Sequence, residues 1–362
     1  MSRLEKAREL AGRSGFDAVF ITPGSDLFYL TGYRAIAAER LTCLVIPVEG
    51  VPFLVVPRLE RPAALASPVA GLGIEVVDWD ETENPYALVA ARLDRDVARI
   101  GLDNQMWAEK VLAFRAVLPG ATQHPASEVL RELRMRKSPA EVDALREAGA
   151  AIDRVHERMG QWLRAGRTER EVARDIAAAI VDAGHERTDF VIVASGPNAA
   201  SPHHEVSDRV IQPGDPVVVD IGGTTDTGYR SDSTRTYAIG EPPADFRAYY
   251  EVLQRAQRAQ TDAVRPGLLA AQLDAIGRDI IAQAGHADHF LHRTGHGIGL
   301  ETHEEPYIVA NSELPLEPGM AFSVEPGIYL TGRHGARIED IVVCTETGGE
   351  RLNRTTRDLV TL

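Results

Sequence analysis

Asp215-Pro-Val-Val-Val-Asp220-Ile-Gly-Gly-Thr224-Thr-Asp226-Thr-Gly228-Tyr-Arg-Ser-Asp232-Ser-Thr-Arg-Thr-Tyr237 is the stretch that decides how the second half of the chain folds. β-Branched residues flank a cluster of Thr, Asp and Gly, which reads as strand, turn, strand. A hairpin symmetric about Asp226 sets Asp220 opposite Asp232, with the two carboxylates about 5 Å apart on one face. Such a pair is unfavourable unless a cation or a proton is shared between its members.

Downstream, Glu325-Pro-Gly-Ile-Tyr-Leu-Thr-Gly332-Arg-His-Gly-Ala-Arg-Ile-Glu339 repeats the arrangement about Gly332, a good turn residue, and opposes Glu325 to Glu339. Both hairpins are flanked by apolar strand, where carboxylates are paired or ligate metal. A fifth group comes from His292-Arg-Thr-Gly-His296-Gly-Ile-Gly-Leu-Glu-Thr-His303. There Gly295, Gly297 and Gly299 leave the backbone around His296 open to close approach. One imidazole and four carboxylates suit two divalent ions, Mn²⁺ or Co²⁺ first, with Zn²⁺ or Fe²⁺ also accommodated. Two adjacent dications lower the pKa of a shared water and supply hydroxide.

Around this centre, Ser138-Pro139-Ala140-Glu141 joins a capping box to a proline at the first helical position. Val142, Leu145, Ile152, Val155 and Met159 then follow at helical spacing. Thr168 and Glu171 repeat the box, and further amphipathic helices are expected at 244–264 and 269–284. Helices mixed with hairpins make this half α+β. The first half alternates β-rich runs at 17–22, 42–48, 51–56 and 74–79 with helices near 86–93 and 108–118, and Glu49-Gly50 reads as a hairpin turn. A length of 362 residues favours two domains. We place a smaller α/β domain at 1–124, a linker at 125–137 and the catalytic domain at 138–362.

Lys plus Arg number 39 against 53 Asp plus Glu, a net charge of -14. That balance repels nucleic-acid backbones and anionic membranes, so neither is an expected partner. Cys43 and Cys344 sit alone in apolar runs and read as buried thiols. The N-terminus carries a capping box from Ser2 to Glu5 rather than a signal peptide's apolar core, and a cytoplasmic setting is expected.

The ordered set Pro202-His203, Val-Val-Val-Asp220, Ser231-Asp232-Ser-Thr-Arg-Thr, Gly295-His296-Gly-Ile-Gly-Leu-Glu-Thr-His303, Val324-Glu325-Pro-Gly-Ile-Tyr and Arg337-Ile-Glu339-Asp340 resembles the Xaa-Pro peptidases, prolidase and aminopeptidase P, of the M24 metallopeptidase family. The first half, with Tyr29-Leu-Thr-Gly-Tyr33, resembles that family's N-terminal domain more loosely. The resemblance implies a C-terminal "pita-bread" (creatinase/aminopeptidase) domain. It also implies hydrolysis of the Xaa-Pro bond in dipeptides or short peptides, and a homodimer. On it, Asp220 holds one metal, His296 and Glu325 the other, and Asp232 and Glu339 bridge. Glu325 also handles the water's proton, His203 and His303 steady the tetrahedral intermediate, and His292 and Arg337 surround the substrate's proline and carboxylate. His203 is preferred to His204 because it keeps the family spacing from Gly214-Asp215. Some prolidases carry an arginine for the dipeptide carboxylate between the positions of His303 and Glu325, and residues 304–324 contain none. Alternatives are an aminopeptidase P acting on longer Xaa-Pro-Yaa peptides, an M24 hydrolase of another small amide, and a non-catalytic binding domain of this fold. Retention of all five ligands argues against the last.

Overall fold

Gly50, at φ +108°, turns the chain between the antiparallel strands Cys43–Pro47 and Phe53–Pro57, as the Glu49-Gly50 pair requires. They lie in a computed structural model that describes residues 2–93 and 97–362. Its two compact units are Met1–Arg134 and Met135–Leu362. In the first, six strands run in the order Glu75–Trp79, Phe53–Pro57, Cys43–Pro47, Ala18–Ile21, Arg99–Leu102, Thr122–Pro125. Thr122–Pro125 falls at the expected junction between the first domain and the linker. It is an edge strand, paired only with Arg99–Leu102 and half exposed, so no apolar alternation marks it. The segment 125–137 carries the helix Ser127–Arg134.

The second unit mixes helices with mainly antiparallel sheets, as an α+β reading requires. Its first helix, Pro139–His156, starts on the expected capping box, with Ser138 N–H donating to Glu141 Oε2 at 2.8 Å. This helix and Glu169–Asp182 cover one face of the sheet Arg187–Ser195, Pro216–Thr224, Ser233–Ala238, Val360–Thr361. Val217, Val219 and Ile221 point into that core with Ile152, Val155, Ile176 and Ile180, which turns Asp220 to the opposite face. Both faces of Pro216–Thr224 are buried, so its sequence runs apolar instead of alternating.

The other large sheet, Glu304–Ile308, Gly295–Gly297, Ala321–Val324, Asp340–Cys344, Gly349–Arg351, follows the same rule. Phe322 and Val324 pack with Leu273, Leu316 and Val342, leaving Ser323 and Glu325 on the reverse face. The two reverse faces are joined through the backbone of Glu339. Its N–H donates to Thr234 O at 3.1 Å, and its carbonyl accepts from Arg235 Nη1 at 2.5 Å.

The first hairpin departs from the expected register by two residues. Asp220 pairs with Thr234 and Ile221 with Ser233, so the axis falls at Thr227. Gly228 takes φ +88°, and the Thr225 N–H donates to Tyr229 O, which centres the turn one residue later than symmetry about Asp226 assumes. A two-residue shift preserves parity, so Asp220 and Asp232 remain on one face as diagonal neighbours. The second hairpin keeps its register. Val324 pairs with Asp340 and Gly327 with Arg337, bracketing Glu325 and Glu339 about Gly332 at φ +75°. No described helix is long and apolar enough to cross a membrane, and both cysteines are free and buried.

Candidate metal centre

Strand Gly295–Gly297 brings His296 into the reverse faces of the sheets because its glycines admit neighbouring backbones. A Cβ at Gly295 would lie 1.8 Å from Ser323 O, and one at Gly297 2.3 Å from Glu305 O. The His296 N–H donates to Ser323 Oγ at 3.0 Å, and Nδ1 lies 3.1 Å from Gly297 O. Donation from Nδ1 to that carbonyl leaves the Nε2 lone pair free to ligate. Nε2 stands 3.2 Å from Glu325 Oε1 and 3.7 Å from Asp232 Oδ2. One ligand atom from each of Asp232, His296 and Glu339 lies within 4.8 Å of the others.

Asp220 completes the group from the neighbouring strand. Its Oδ2 accepts from Arg337 Nη2 at 2.6 Å, while its Oδ1 is buried with no hydrogen-bond partner. Glu339 Oε2 accepts from Thr234 Oγ1 at 2.8 Å, and Ser323 Oγ donates to Glu325 Oε1 at 3.0 Å. All five residues singled out as ligands are therefore brought together.

Electrostatics show a centre short of positive charge. Burial, then the Asp220 charge, pushes the Asp232 carboxyl well above the usual range. Burial, then Asp232 and Glu325, does the same to Glu339. Burial also works against a charged Glu325, but His296 outweighs it and holds that carboxyl at about 2. His296 is raised in turn, since Glu325 and Asp232 overcome its burial. Crowded carboxylates, one imidazole and an orphaned oxygen on Asp220 form a donor set that divalent cations fit.

Around the cluster, Arg337 is wholly committed inward. Besides Asp220, it donates from Nη1 to Tyr329 Oη at 2.9 Å and from Nε to Thr234 Oγ1 at 3.1 Å. Tyr329 Oη also lies 2.8 Å from His292 Nε2, linking His292 to Arg337. Tyr329 is not among the residues that the sequence singles out. Its signal is strand parity, since residues 325 and 329 share a face of one hairpin arm. The His303 ring lies 4.1 Å from that of His296, and burial, then the His296 charge, lowers its pKa to about 4.

The neighbouring histidines divide at a turn, in which the His204 N–H donates to Ser201 O at 3.2 Å. His204 Nε2 lies 2.8 Å from Glu169 Oε2, whereas His203 is exposed. Glu169 is completely buried and also accepts from Ser195 N and Oγ, Asn198 Nδ2, and Ser207 N and Oγ. Glu304, next in the chain to His303, is buried against Lys137 Nζ at 2.7 Å. Nothing in local sequence marks Glu169 or Lys137, because only the folded chain brings their partners near.

The model of metallopeptidase family M24 matches residues 143–346, and that of the Creatinase/Prolidase N-terminal domain matches residues 3–136. Dipeptidase PepE from Mycobacterium ulcerans superposes with a TM-score of 0.95 at 55% identity, over 99% of this chain and 96% of that one. A prolidase from Thermococcus sibiricus gives 0.92 at 37% identity, over 99% and 98%. An Xaa-Pro dipeptidase of Lactobacillus delbrueckii subsp. lactis is 36% identical across 99% of this chain and 98% of its own length. These neighbours share the pita-bread catalytic fold behind a creatinase-type N-terminal domain.

Proposed function

The chain belongs to metallopeptidase family M24, a family of peptidases dependent on divalent metal ions, and on that premise we propose that it is an Xaa-Pro dipeptidase. It would release the N-terminal residue from dipeptides whose second residue is proline. The observation that carries this reading is the convergence of Asp220, Asp232, His296, Glu325 and Glu339 on one buried, charge-deficient cluster. In this reading Asp220 would hold one of two ions, His296 and Glu325 the second, and Asp232 and Glu339 would serve both. The oxygen-rich set favours Mn²⁺ or Co²⁺ over Zn²⁺ or Fe²⁺. When bound, such ions supply Lewis acidity and a water acidified towards neutral pH.

The chain's own groups do the rest. Glu325, with Oε1 3.2 Å from His296 Nε2, takes the proton of the attacking water and passes it to the departing proline nitrogen. His303 is neutral near pH 7, so its ring N–H donates to the oxyanion that develops on the scissile carbonyl, with His203 as second donor. His292, fixed by Tyr329, borders the proline side, and Arg337 shapes that wall through Asp220 and Tyr329. A cytoplasmic homodimer is part of the same proposal.

The PepE relatives, named dipeptidases without mention of proline, favour a second reading: a dipeptidase with broader choice of second residue. The deciding assay offers Xaa-Pro, Xaa-Pro-Yaa and proline-free dipeptides to protein loaded with Mn²⁺, Co²⁺ or Zn²⁺, alongside metal analysis. Xaa-Pro turnover with close to two ions per chain is expected. Equal rates on proline-free dipeptides would replace the first reading by the second, and full activity without metal would sink both.

A further inference from the structure

A dipeptide differs from a longer peptide by the carboxylate one residue beyond the scissile bond, so a dipeptidase needs a cation there. This inference rests on the dipeptidase reading above. Several cations on the segments around the cluster are already spent. Arg337 spends its donors on Asp220, Tyr329 and Thr234 and is buried among them. Arg230 donates to Thr302 and lies 3.8 Å from Asp189. Arg278 is bidentate to Asp274. His292 is tied to Tyr329.

Arg293 is different. Its guanidinium carbon stands 4.3 Å above the Tyr307 ring centroid, and among the described residues no carboxylate pairs with it. Tyr307 is the cross-strand partner of His296, so this stacking holds a positive charge beside the metal-binding strand. A guanidinium over an aromatic face still presents N–H donors to a second partner, and its fork matches a carboxylate in bidentate fashion.

We propose that Arg293, held on Tyr307 beside His296, binds the C-terminal carboxylate of the dipeptide and makes this chain prefer dipeptides to longer substrates. It takes the part that an arginine within 304–324 would otherwise play. Its partner is the free α-carboxylate one residue beyond the scissile carbonyl, and a peptide continued by another amide offers no such charge.

The test compares each Xaa-Pro substrate with its C-terminal amide, using wild-type protein, Arg293→Met and Arg293→Lys, with metal content and thermal midpoint recorded for each. The wild type should prefer the free acid in kcat/KM by about tenfold or more, chiefly through KM, the effect of a charged hydrogen-bonded pair. Arg293→Met should bring the two substrates within about threefold by losing only the acid's advantage. Arg293→Lys should keep part of the preference, since it retains charge without the fork. A folded, metal-loaded Arg293→Met that keeps the full acid preference overturns the assignment, as does a wild type with none. A wild type that cleaves no Xaa-Pro substrate refutes the proline reading instead. The acid and amide of whichever dipeptide it does cleave then test Arg293 by the same comparison.

Discussion

Arg337 meets Asp220 inside the carboxylate cluster, its Nη2 2.6 Å from Oδ2, and among the described residues it is the one full positive charge bonded directly to a side chain of that cluster. Burial opposes the guanidinium's charge, but Tyr329, Asp220 and Glu325 raise its pKa well above the ordinary arginine value, so it stays charged. Its removal leaves four carboxylates with less compensation. Arg337→Met should therefore melt well below wild type in chelator, by the roughly 3–5 kcal/mol typical of breaking a buried pair. Divalent metal should restore more stability to the variant than to wild type. Thermal melts with and without chelator check this, and equal metal-induced shifts would contradict it.

Asp232 presents the opposite case. Burial and the Asp220 charge disfavour its ionised form, so the metal-free fold carries a cost at this position that exists for function. Asp232→Asn should be at least as stable as wild type without metal, bind less metal and lose turnover. Metal analysis by plasma spectrometry and melts in chelator measure both halves. Unchanged kinetics would remove the bridging assignment.

Much of this centre is legible in the sequence because hairpin symmetry is a local property. Gly332 fixes the opposition of Glu325 and Glu339 outright. Asp220 and Asp232 are recovered only as to face, since the exact register depends on which turn residue, Asp226 or Thr227, is central, and composition alone does not say. The edge strand Thr122–Pro125 is hidden because a half-exposed strand paired on one side has no apolar period. Tyr329, Glu169 and Lys137 are hidden for another reason: their partners lie 8, 26 and 167 residues away or more, and their polarity has meaning only once those partners arrive.

Glu169 holds both ends of the segment that carries His203, bonding Ser195 and Asn198 before it and His204 and Ser207 after it. Burial opposes its charge, but these donors together lower its pKa, so it accepts as a carboxylate. Glu169→Gln should leave metal content intact while lowering kcat on the order of tenfold, since small displacements of a catalytic group are costly. Added to a His203→Ala background, the same change should lower kcat no further. An equal loss in both backgrounds would make Glu169 a purely structural residue.

His156 gives the acid limit of the catalytic unit. It is fully buried between Tyr237 Oη at 2.9 Å and Ser233 O at 3.2 Å, and burial, then the Arg235 charge, lowers its pKa to about 3. In the unfolded chain the imidazole titrates near 6.5, so the unfolded state binds the proton first as pH falls. The stability tied to neutral His156 is thus whole above about pH 6.5 and is lost progressively down to about 3. At pH 5 the loss should reach about 2 kcal/mol relative to pH 7.5. Urea midpoints for wild type and His156→Gln at both pH values isolate it, because the variant has no imidazole to charge at this site. A variant that loses as much stability as wild type between the two would show that other groups set the acid limit.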